Sequence, residues 1–156
     1  TKEKLKILTK QKIVKKKDYE KISQRKQEIT LQLIETHGTL DPTKVELIKA
    51  LQESGVHVAC FTNSIRQTAE LMLRTCGVLD LLELLVTNED VKKPKPSGEG
   101  YLKVIRHFKV PKKNVIIVED SPKGMAAAQA AKCRVIPVAN ATGVTKGLFE
   151  GLGVFE

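Results

Sequence analysis

The stretch Val115-Ile-Ile-Val-Glu-Asp-Ser-Pro-Lys-Gly-Met-Ala-Ala-Ala-Gln-Ala-Ala131 decides the fold of this chain. Its first four residues are apolar and mostly β-branched, which is typical of a strand buried on both faces. The carboxylates of Glu119 and Asp120 follow where that strand ends, and Ser121-Pro122 leads into an Ala-rich helix. The order predicts a buried strand, an acidic pair and a helix.

The acidic pair has two interpretations. Ligands of open α/β sheets bind beyond the carboxyl ends of the strands, and adjacent carboxylates there suit a hard cation such as Mg²⁺. Asp or Ser before a Pro-led helix is also a common helix N-cap. From this segment alone, both interpretations stay open.

Length and composition indicate one domain with room for a small appendage, since the chain has 156 residues, 41% of them hydrophobic. No apolar run is long enough for a membrane span, and the basic start does not resemble a signal peptide. Cys60, Cys76 and Cys133 are odd in number and widely spaced. They are typical of reduced core cysteines, so we expect a cytoplasmic protein.

The net charge of +9 belongs to one segment. Residues 1–26 hold 11 Lys/Arg and 3 Asp/Glu, a balance of +8, whereas the other residues hold 16 and 15. A role on nucleic acid or an anionic surface would therefore depend on that segment. It contains almost no aromatic residue and no known nucleic-acid motif, so the sequence does not favour nucleic acid as a partner.

The pattern along the chain divides it near residue 38. Residues 3–36 show helical periodicity with few apolar positions, which predicts two helices without a core of their own. From Pro42 onward, helices alternate with strands predicted at residues 56–61, 84–86, 115–118 and 134–138. This alternation predicts a Rossmann-like α/β fold, with a parallel sheet and helices on both faces, over residues 39–156.

Three groups of polar residues would meet at the carboxyl rim of that sheet. They are Thr62-Asn63-Ser64, Glu89-Asp90 and Glu119-Asp120, and the loop Lys92-Lys-Pro-Lys-Pro96 joins them. The two prolines stiffen this loop and so hold a lysine in place. Hydroxyl and amide donors, a fixed lysine and a carboxylate pair for a metal together suit a phosphate group.

At these residues the chain resembles the haloacid-dehalogenase-like hydrolase superfamily, in the branch of β-phosphoglucomutase and related sugar-phosphate phosphatases. Three of the four family motifs occur in order. They are matched by Val58-Ala-Cys-Phe-Thr-Asn-Ser64, Lys93-Pro-Lys-Pro96 and Val118-Glu-Asp-Ser-Pro-Lys-Gly124. The resemblance extends over residues 18 to 146 and implies Mg²⁺-dependent phosphoryl transfer on a small phosphorylated metabolite.

The resemblance also implies roles for individual residues. Thr62, with the amides of Asn63 and Ser64, would hold the phosphoryl group, and Lys93 would neutralise its charge. Asp120, with Glu119 beside it, would bind Mg²⁺. Residues 1–38 would be part of the small helical cap of the family, on which Arg25 and Lys26 would meet a second anionic group of the substrate. Two solvated charges on a helix remain the alternative for this pair.

The first family motif, Asp-x-Asp-Gly-Thr at the end of a central strand, supplies the nucleophile and is not found in the chain. Glu35-Thr-His-Gly-Thr-Leu40 is a weak substitute, because the residues before it continue a helical pattern. We therefore expect an upstream segment or a second chain to fill the place of the missing central strand. The alternative function is a non-catalytic interaction module of the same fold.

Overall fold

The computed structural model describes residues 2–155, with side chains from Lys4 onward. The chain divides into two compact units, Thr1–Gly38 and Thr39–Glu156. The first unit contains helix α1 (Lys2–Lys10) and helix α2 (Tyr19–His37). Within it, the Tyr19 hydroxyl and the Thr9 hydroxyl lie 2.7 Å apart and share a hydrogen bond.

Helix α2 shows whether Glu35-Thr-His-Gly-Thr-Leu40 follows a strand, as the first family motif would. Residues 31–34 lie inside this helix, which ends only at His37, where the Gly38 N–H donates to the Ile34 carbonyl. The segment before Glu35 is therefore helical and does not form a buried strand. This agrees with the helical periodicity of the sequence and rules out Glu35 as the end of a central strand.

The second unit alternates helices and strands in chain order. The elements are α3 (Pro42–Glu53), β1 (Ala59–Phe61), α4 (Arg66–Thr75), β2 (Leu84–Val86), α5 (Glu99–Phe108), β3 (Ile116–Glu119), α6 (Pro122–Ala131), β4 (Arg134–Pro137) and α7 (Lys146–Glu150). Strand β1 is shorter than the sequence pattern predicts, and α7 is a helix that the pattern did not indicate.

The strands pair in parallel, and the predicted α/β class is confirmed. β1 pairs with β2, with Phe61 opposite Val86, and β3 pairs with β4, with Glu119 opposite Pro137. Because the strands within each pair are parallel, their carboxyl ends lie at the same edge of the pair. Thr62 directly follows β1, and Asp120 directly follows β3.

Helices cover both faces of these strands. On one face, α5 and α6 pack against the strands in a core cluster of Phe61, Val86, Tyr101, Ile117, Ala127, Ala128 and Ala131. On the other, Leu47, Leu51 and Phe149 form a second cluster, against which Val58 and Val118 pack. Because neighbouring strand residues point to opposite faces, Ile117 and Val118 contribute to different clusters.

The two ladders are separate. Within residues 2–155, β1 pairs only with β2 and β3 pairs only with β4, so each pair is a two-stranded sheet. Both pairs contribute to the core cluster under α5 and α6. One edge of β1 and one edge of β3 therefore lack a strand partner among the described residues.

Local capping explains where the helices around the site begin. The Asp41 carboxylate accepts a hydrogen bond from the Lys44 N–H at 3.2 Å, and Pro42 occupies the first turn of α3. At α6, the Ser121 hydroxyl accepts from the Gly124 N–H at 3.1 Å, with Pro122 in the first turn. Each cap satisfies an N–H that a helix start leaves unpaired.

Among the described residues, none of the helices combines the length and the apolar character needed to cross a membrane. The three cysteines are free thiols.

Candidate functional site

The side chain of Lys95 occupies the centre of the carboxyl rim. Its ammonium forms an ion pair with the Glu119 carboxylate at the end of β3. It also lies 4.9 Å from the ring centre of Phe61, the last residue of β1, and 5.1 Å from that of Tyr101 on α5. Cation–π attraction and the ion pair together hold this charge between the two ladders. The Lys95 and Glu119 side chains are only 10% and 8% exposed.

Glu119 accepts from three side chains. The Lys95 ammonium and the Tyr101 hydroxyl both donate to its Oε1, and the Ser121 hydroxyl donates to Oε2 at 3.3 Å. Burial raises the pKa of the Glu119 carboxyl, but the hydrogen bonds from Lys95 and Tyr101 outweigh it, and the net pKa lies below the usual value. Glu119 is therefore ionised at neutral pH.

Two glycines make this packing possible. A Cβ at Gly124 would overlap the Glu119 carboxylate, and a Cβ at Gly100 would overlap the Phe61 ring. The missing side chains let α6 approach the end of β3 and α5 approach the end of β1. Glycine is therefore required at both positions by close packing.

The loop that carries Lys95 is anchored at two points. The Asn63 side-chain carbonyl accepts from the Lys95 N–H at 2.9 Å, and its amide donates to the Lys95 carbonyl at 3.1 Å. Earlier in the loop, the Glu99 carboxylate accepts from the N–H groups of Lys92 and Lys93 at 2.8 and 3.0 Å. The backbone on both sides of Pro94 is thus held in place.

Lys93, which the resemblance indicates as the charge-neutralising residue, is not the lysine at the rim. Its side chain is exposed, and its backbone N–H binds Glu99. The structure places Lys95 there instead. The physical reason is that the Asn63 side chain binds the backbone of Lys95, which lies two residues after Lys93 in the loop. The lysine whose ammonium reaches Glu119 is thus Lys95, and the charge-neutralising role that the resemblance implies for Lys93 stays a prediction.

The residues after β1 lie at the same rim. The Thr62 N–H donates to the Val86 carbonyl at 2.9 Å, which extends the ladder, and the Thr62 hydroxyl accepts from the Ser64 N–H at 3.1 Å. Thr62 is half-buried, whereas Asn63 and Ser64 are exposed. Both ends of the Asn63 side chain are engaged by Lys95, so a substrate contact by that side chain would have to replace these bonds.

Glu89 and Asp90, which the sequence groups with the rim, bind the start of α4 instead. The Glu89 carboxylate accepts from the Arg66 N–H at 2.5 Å, and Asp90 pairs with the Arg66 guanidinium at 2.6 Å. Asp90 also accepts from the N–H and hydroxyl of Thr87 at 2.7 and 2.8 Å. These two carboxylates act as caps for α4 and for the turn after β2.

The predicted Mg²⁺ ligands differ in availability. Asp120 is exposed, and the N-cap of α6 is Ser121, so Asp120 is not needed for capping. Glu119 is already engaged by Lys95, Tyr101 and Ser121. Within residues 2–155, no three or more His, Cys, Asp or Glu side chains are grouped as a metal site. Asp120 suits a hard cation and is open to one, whereas the Glu119 carboxylate already accepts three hydrogen bonds; the described residues form only part of such a site, and both residues as Mg²⁺ ligands stay predictions.

Cys60 is a half-buried thiol close to Lys95 and Glu119. Burial raises its pKa, while Lys95 opposes the shift and Glu119 adds to it. Because the thiolate is the nucleophilic form of cysteine, a raised pKa leaves Cys60 unreactive. We therefore do not count it as a nucleophile.

Arg25 and Lys26 belong to the first unit and are described there alone. Arg25 pairs with Glu28 on the same helix at 3.0 Å, and both side chains are largely exposed. Arg25 and Lys26 line a shallow groove of α2 with Ile22, Ile29 and Thr30. Their contact with a substrate stays a prediction.

Two residues of the cluster were not identified as site residues from the sequence. Lys95 belongs to the second of two successive Lys-Pro dipeptides in Lys93-Pro94-Lys95-Pro96, and either dipeptide satisfies a Lys-Pro pattern. Tyr101 looks like an apolar position of α5, because it belongs to the stripe that packs on the core. A buried tyrosine needs a hydrogen-bond partner for its hydroxyl, and that requirement is the signal by which a polar neighbour could have been found.

Comparisons with known proteins agree with this fold. The profile of the family described as "Haloacid dehalogenase-like hydrolase" matches residues 2–138. The chain therefore belongs to the haloacid dehalogenase-like hydrolase family, as the sequence motifs indicated.

Several curated relatives are named as phosphatases. Validoxylamine A 7′-phosphate phosphatase of Streptomyces hygroscopicus subsp. limoneus is 38% identical over 87 residues, which are 56% of this chain and 41% of the relative. Hexitol phosphatase A of Escherichia coli is 32% identical over 109 residues, 69% of this chain and 50% of the relative. The chain thus spans half or less of the length of these relatives.

Solved structures give the same fold. CbbY from Rhodobacter sphaeroides in complex with phosphate has a TM-score of 0.62 at 25% identity, over 69% of this chain and 49% of that one. A putative β-phosphoglucomutase from Thermotoga maritima has a TM-score of 0.65 at 24% identity, over 96% of this chain and 69% of that one. The second likeness shows the fold alone.

Proposed function

We propose that this chain carries the charge-stabilising part of a phosphoryl-transfer site, in a phosphatase or phosphomutase that acts on a small phosphorylated metabolite such as a sugar phosphate. The observation that carries the proposal is the Lys95 ammonium held at the rim between Phe61 and Glu119. An ammonium has three N–H donors, and one of them is directed to Glu119. The others are free to bind phosphate oxygens.

The remaining rim residues have matching roles in the proposal. The Thr62 hydroxyl and the backbone after it would bind other phosphate oxygens, as the family resemblance implies. Glu119 is itself ionised, since its pKa lies below the usual value, and it orients the lysine through their ion pair. Preorganised donors and charges of this kind stabilise the charge of a transferring phosphoryl group.

Mg²⁺ belongs to the proposal with Asp120 as its ligand. When bound, the ion would supply positive charge beside the phosphate oxygens, and ligands beyond Asp120 would be needed to hold it. Glu119 is assigned to Lys95 and not to the ion, because its carboxylate oxygens already accept hydrogen bonds.

The nucleophile is proposed to come from an additional strand between β1 and β3. Within residues 2–155, both strands have an edge without a strand partner, and such edges are templates for a further strand. An upstream segment or a second chain carrying a carboxylate at its strand end would complete the rim. The free thiols agree with the reducing, cytoplasmic setting that we propose for it.

The test is phosphate release by this chain joined at its amino end to an apolar strand that ends in Asp-x-Asp-Gly-Thr. The panel would include hexitol phosphates and phosphoglycolate, the substrates that the names of two relatives indicate. Each substrate would be tested with and without Mg²⁺. We expect Mg²⁺-dependent release from at least one substrate. The matched control is the same protein with the first Asp of the added segment changed to Asn.

Absence of release across the panel, from a folded protein that binds no inorganic phosphate, would contradict the proposal. The protein would then stand as an interaction module of the same fold. Phosphate binding without turnover by the chain alone is the expected behaviour before the strand is supplied.

A further inference from the structure

We propose that Asn63 and Tyr101 are positioning residues that set the place of the Lys95 ammonium. Asn63 acts on the main chain of Lys95, and Tyr101 acts on the carboxylate that Lys95 binds. This inference rests on the proposed function, because it takes Lys95 as the phosphate-binding cation. It adds the means by which the fold holds that cation at the rim.

Asn63 forms a two-point clamp across the loop. Its side chain accepts from the Lys95 N–H at 2.9 Å and donates to the Lys95 carbonyl at 3.1 Å. The two residues are 32 positions apart in the chain, so the clamp joins the end of β1 to the lysine loop. Because the backbone N–H and the backbone carbonyl of Lys95 are both bound, its Cα has little freedom to move relative to Asn63.

Tyr101 fixes the other end of the ion pair. Its hydroxyl donates to the same Glu119 oxygen that pairs with Lys95, and its ring packs edge-on against Phe61 with the ring centres 5.1 Å apart. The ammonium also lies over this ring. One side chain on α5 therefore orients the carboxylate, contacts the lysine and touches the end of β1. Deleting the hydroxyl removes only the first of these contacts.

The test compares Asn63→Ala and Tyr101→Phe with Asn140→Ala and Tyr19→Phe in the full chain. Asn140 is an exposed asparagine whose side chain accepts from the Thr142 N–H, and Tyr19 is the other tyrosine, bonded to Thr9 in the first unit. Each control removes the same chemical group, a side-chain amide or a tyrosine hydroxyl, at a position that does not contact Lys95 or Glu119. Circular dichroism confirms that each variant folds. Because Asn63→Ala changes an exposed loop residue, the inference can still be tested with this variant if Tyr101→Phe fails to fold.

The first measurement is the rate at which an amine-acylating reagent modifies Lys95, located by tandem mass spectrometry. Exposed Lys93 in the same loop serves as the internal standard. Lys103, which is on α5 and donates to the Asp90 carbonyl at 3.0 Å, reports general loosening of that helix. We expect Lys95 to react up to about tenfold faster in either variant, the order expected when a hydrogen bond to a carboxylate (Tyr101) or two hydrogen bonds to the backbone (Asn63) are lost. Lys93 and Lys103 should not change.

The second measurement is binding of inorganic phosphate to the same proteins, followed by ³¹P nuclear magnetic resonance. Weaker binding in both variants together with faster Lys95 modification supports the inference. Unchanged Lys95 modification in the folded variants overturns it, whatever phosphate binding shows. If the unsubstituted protein binds no phosphate, that result contradicts the proposed function instead, and the acylation rates still decide whether Asn63 and Tyr101 position Lys95.

Discussion

At the scale of single residues, the site depends on one buried ion pair whose members come from different parts of the chain. Lys95 lies in a loop, and Glu119 ends a strand. Both side chains are largely shielded from water, so solvent compensates only in part for a lost partner. A buried charge that loses its partner is costly, so each member is needed for the stability of the other.

Glu119→Gln should lower the free energy of unfolding by about 3 kcal/mol at neutral pH, since it leaves the Lys95 charge buried without a counter-charge. The control is Glu150→Gln, which removes only an exposed pair with Lys146 at 3.9 Å and should change stability by less than about 0.5 kcal/mol. Urea unfolding measures both.

The pH dependence of that variant has a definite sign. The pKa of Glu119 is lowered on folding, so its contribution to stability is present above the ordinary carboxyl pKa of about 4.3 and is lost as pH falls through the lowered pKa. The difference between the unsubstituted protein and Glu119→Gln should therefore shrink in acid. An equal difference at pH 7 and at pH 3 would contradict the ion-pair account.

Tyr101 should resist ionisation. Burial, and then the hydrogen bond and the charge of Glu119, raise its pKa well above the ordinary value. In Tyr19→Phe, where Tyr101 is the only tyrosine, absorbance at 295 nm should show no phenolate while the protein stays folded at pH 10 to 11. Because the folded pKa is raised, stability should fall as pH rises above about 10. Reversible ionisation near pH 10 with the fold intact would show that Tyr101 does not bind Glu119.

The choice between Lys93 and Lys95 shows the limit of sequence reasoning at this scale. The motif indicates a lysine before a proline, and the loop offers two in succession. Only contacts with residues far along the chain, Asn63 and Glu119, distinguish them. The residue types of the site were thus predictable, and the register within a repeated dipeptide was not.

At the scale of elements, helices with a local start signal were predicted well. Asp41-Pro42 and Ser121-Pro122 mark the beginnings of α3 and α6, and the structure shows both caps. Helix α7 was missed because it has only five residues and no long apolar pattern. It is held by Phe149, which packs with Leu47 and Leu51 of α3, a tertiary contact that local sequence does not reveal.

The start of α6 gives a prediction with a built-in control. Gly124→Ala should destabilise the protein by about 1 to 3 kcal/mol, because the new Cβ would overlap the Glu119 carboxylate. Gly147→Ala in α7 meets no atom closer than 3.9 Å and should be neutral or stabilising by up to about 0.5 kcal/mol. Chemical denaturation of both proteins checks the difference. Equal effects would mean that α6 does not approach Glu119 so closely.

At the scale of the whole molecule, the second unit consists of two parallel ladders under shared helices. The class of fold was predictable, because alternating strands and helices have few other solutions. The separation of the ladders follows from the strand pairing in the structure. It is consistent with the expectation of a further strand, which remains a proposal.

Amide hydrogen exchange tests that proposal at single residues. Thr62 N–H points to β2, and the Glu119 carbonyl accepts from Val138 beside β4. By the alternation of a strand, the N–H groups of Phe61 and Val118 point to the unpartnered edges. They should exchange faster than those of Cys60 and Ile117, and become protected once a strand is supplied. Strong protection of Phe61 and Val118 in the chain alone would contradict an open place between the ladders.

Binding of inorganic phosphate to Lys95→Ala and Lys93→Ala tests the central claim most directly. Both variants remove one lysine from the same loop, but only Lys95 lies at the rim. We predict that Lys95→Ala weakens phosphate binding by about tenfold or more, the order expected when a hydrogen bond between charged groups is lost, while Lys93→Ala changes it by less than about threefold. Equal affinities in the two variants, or a larger loss in Lys93→Ala, would contradict the account.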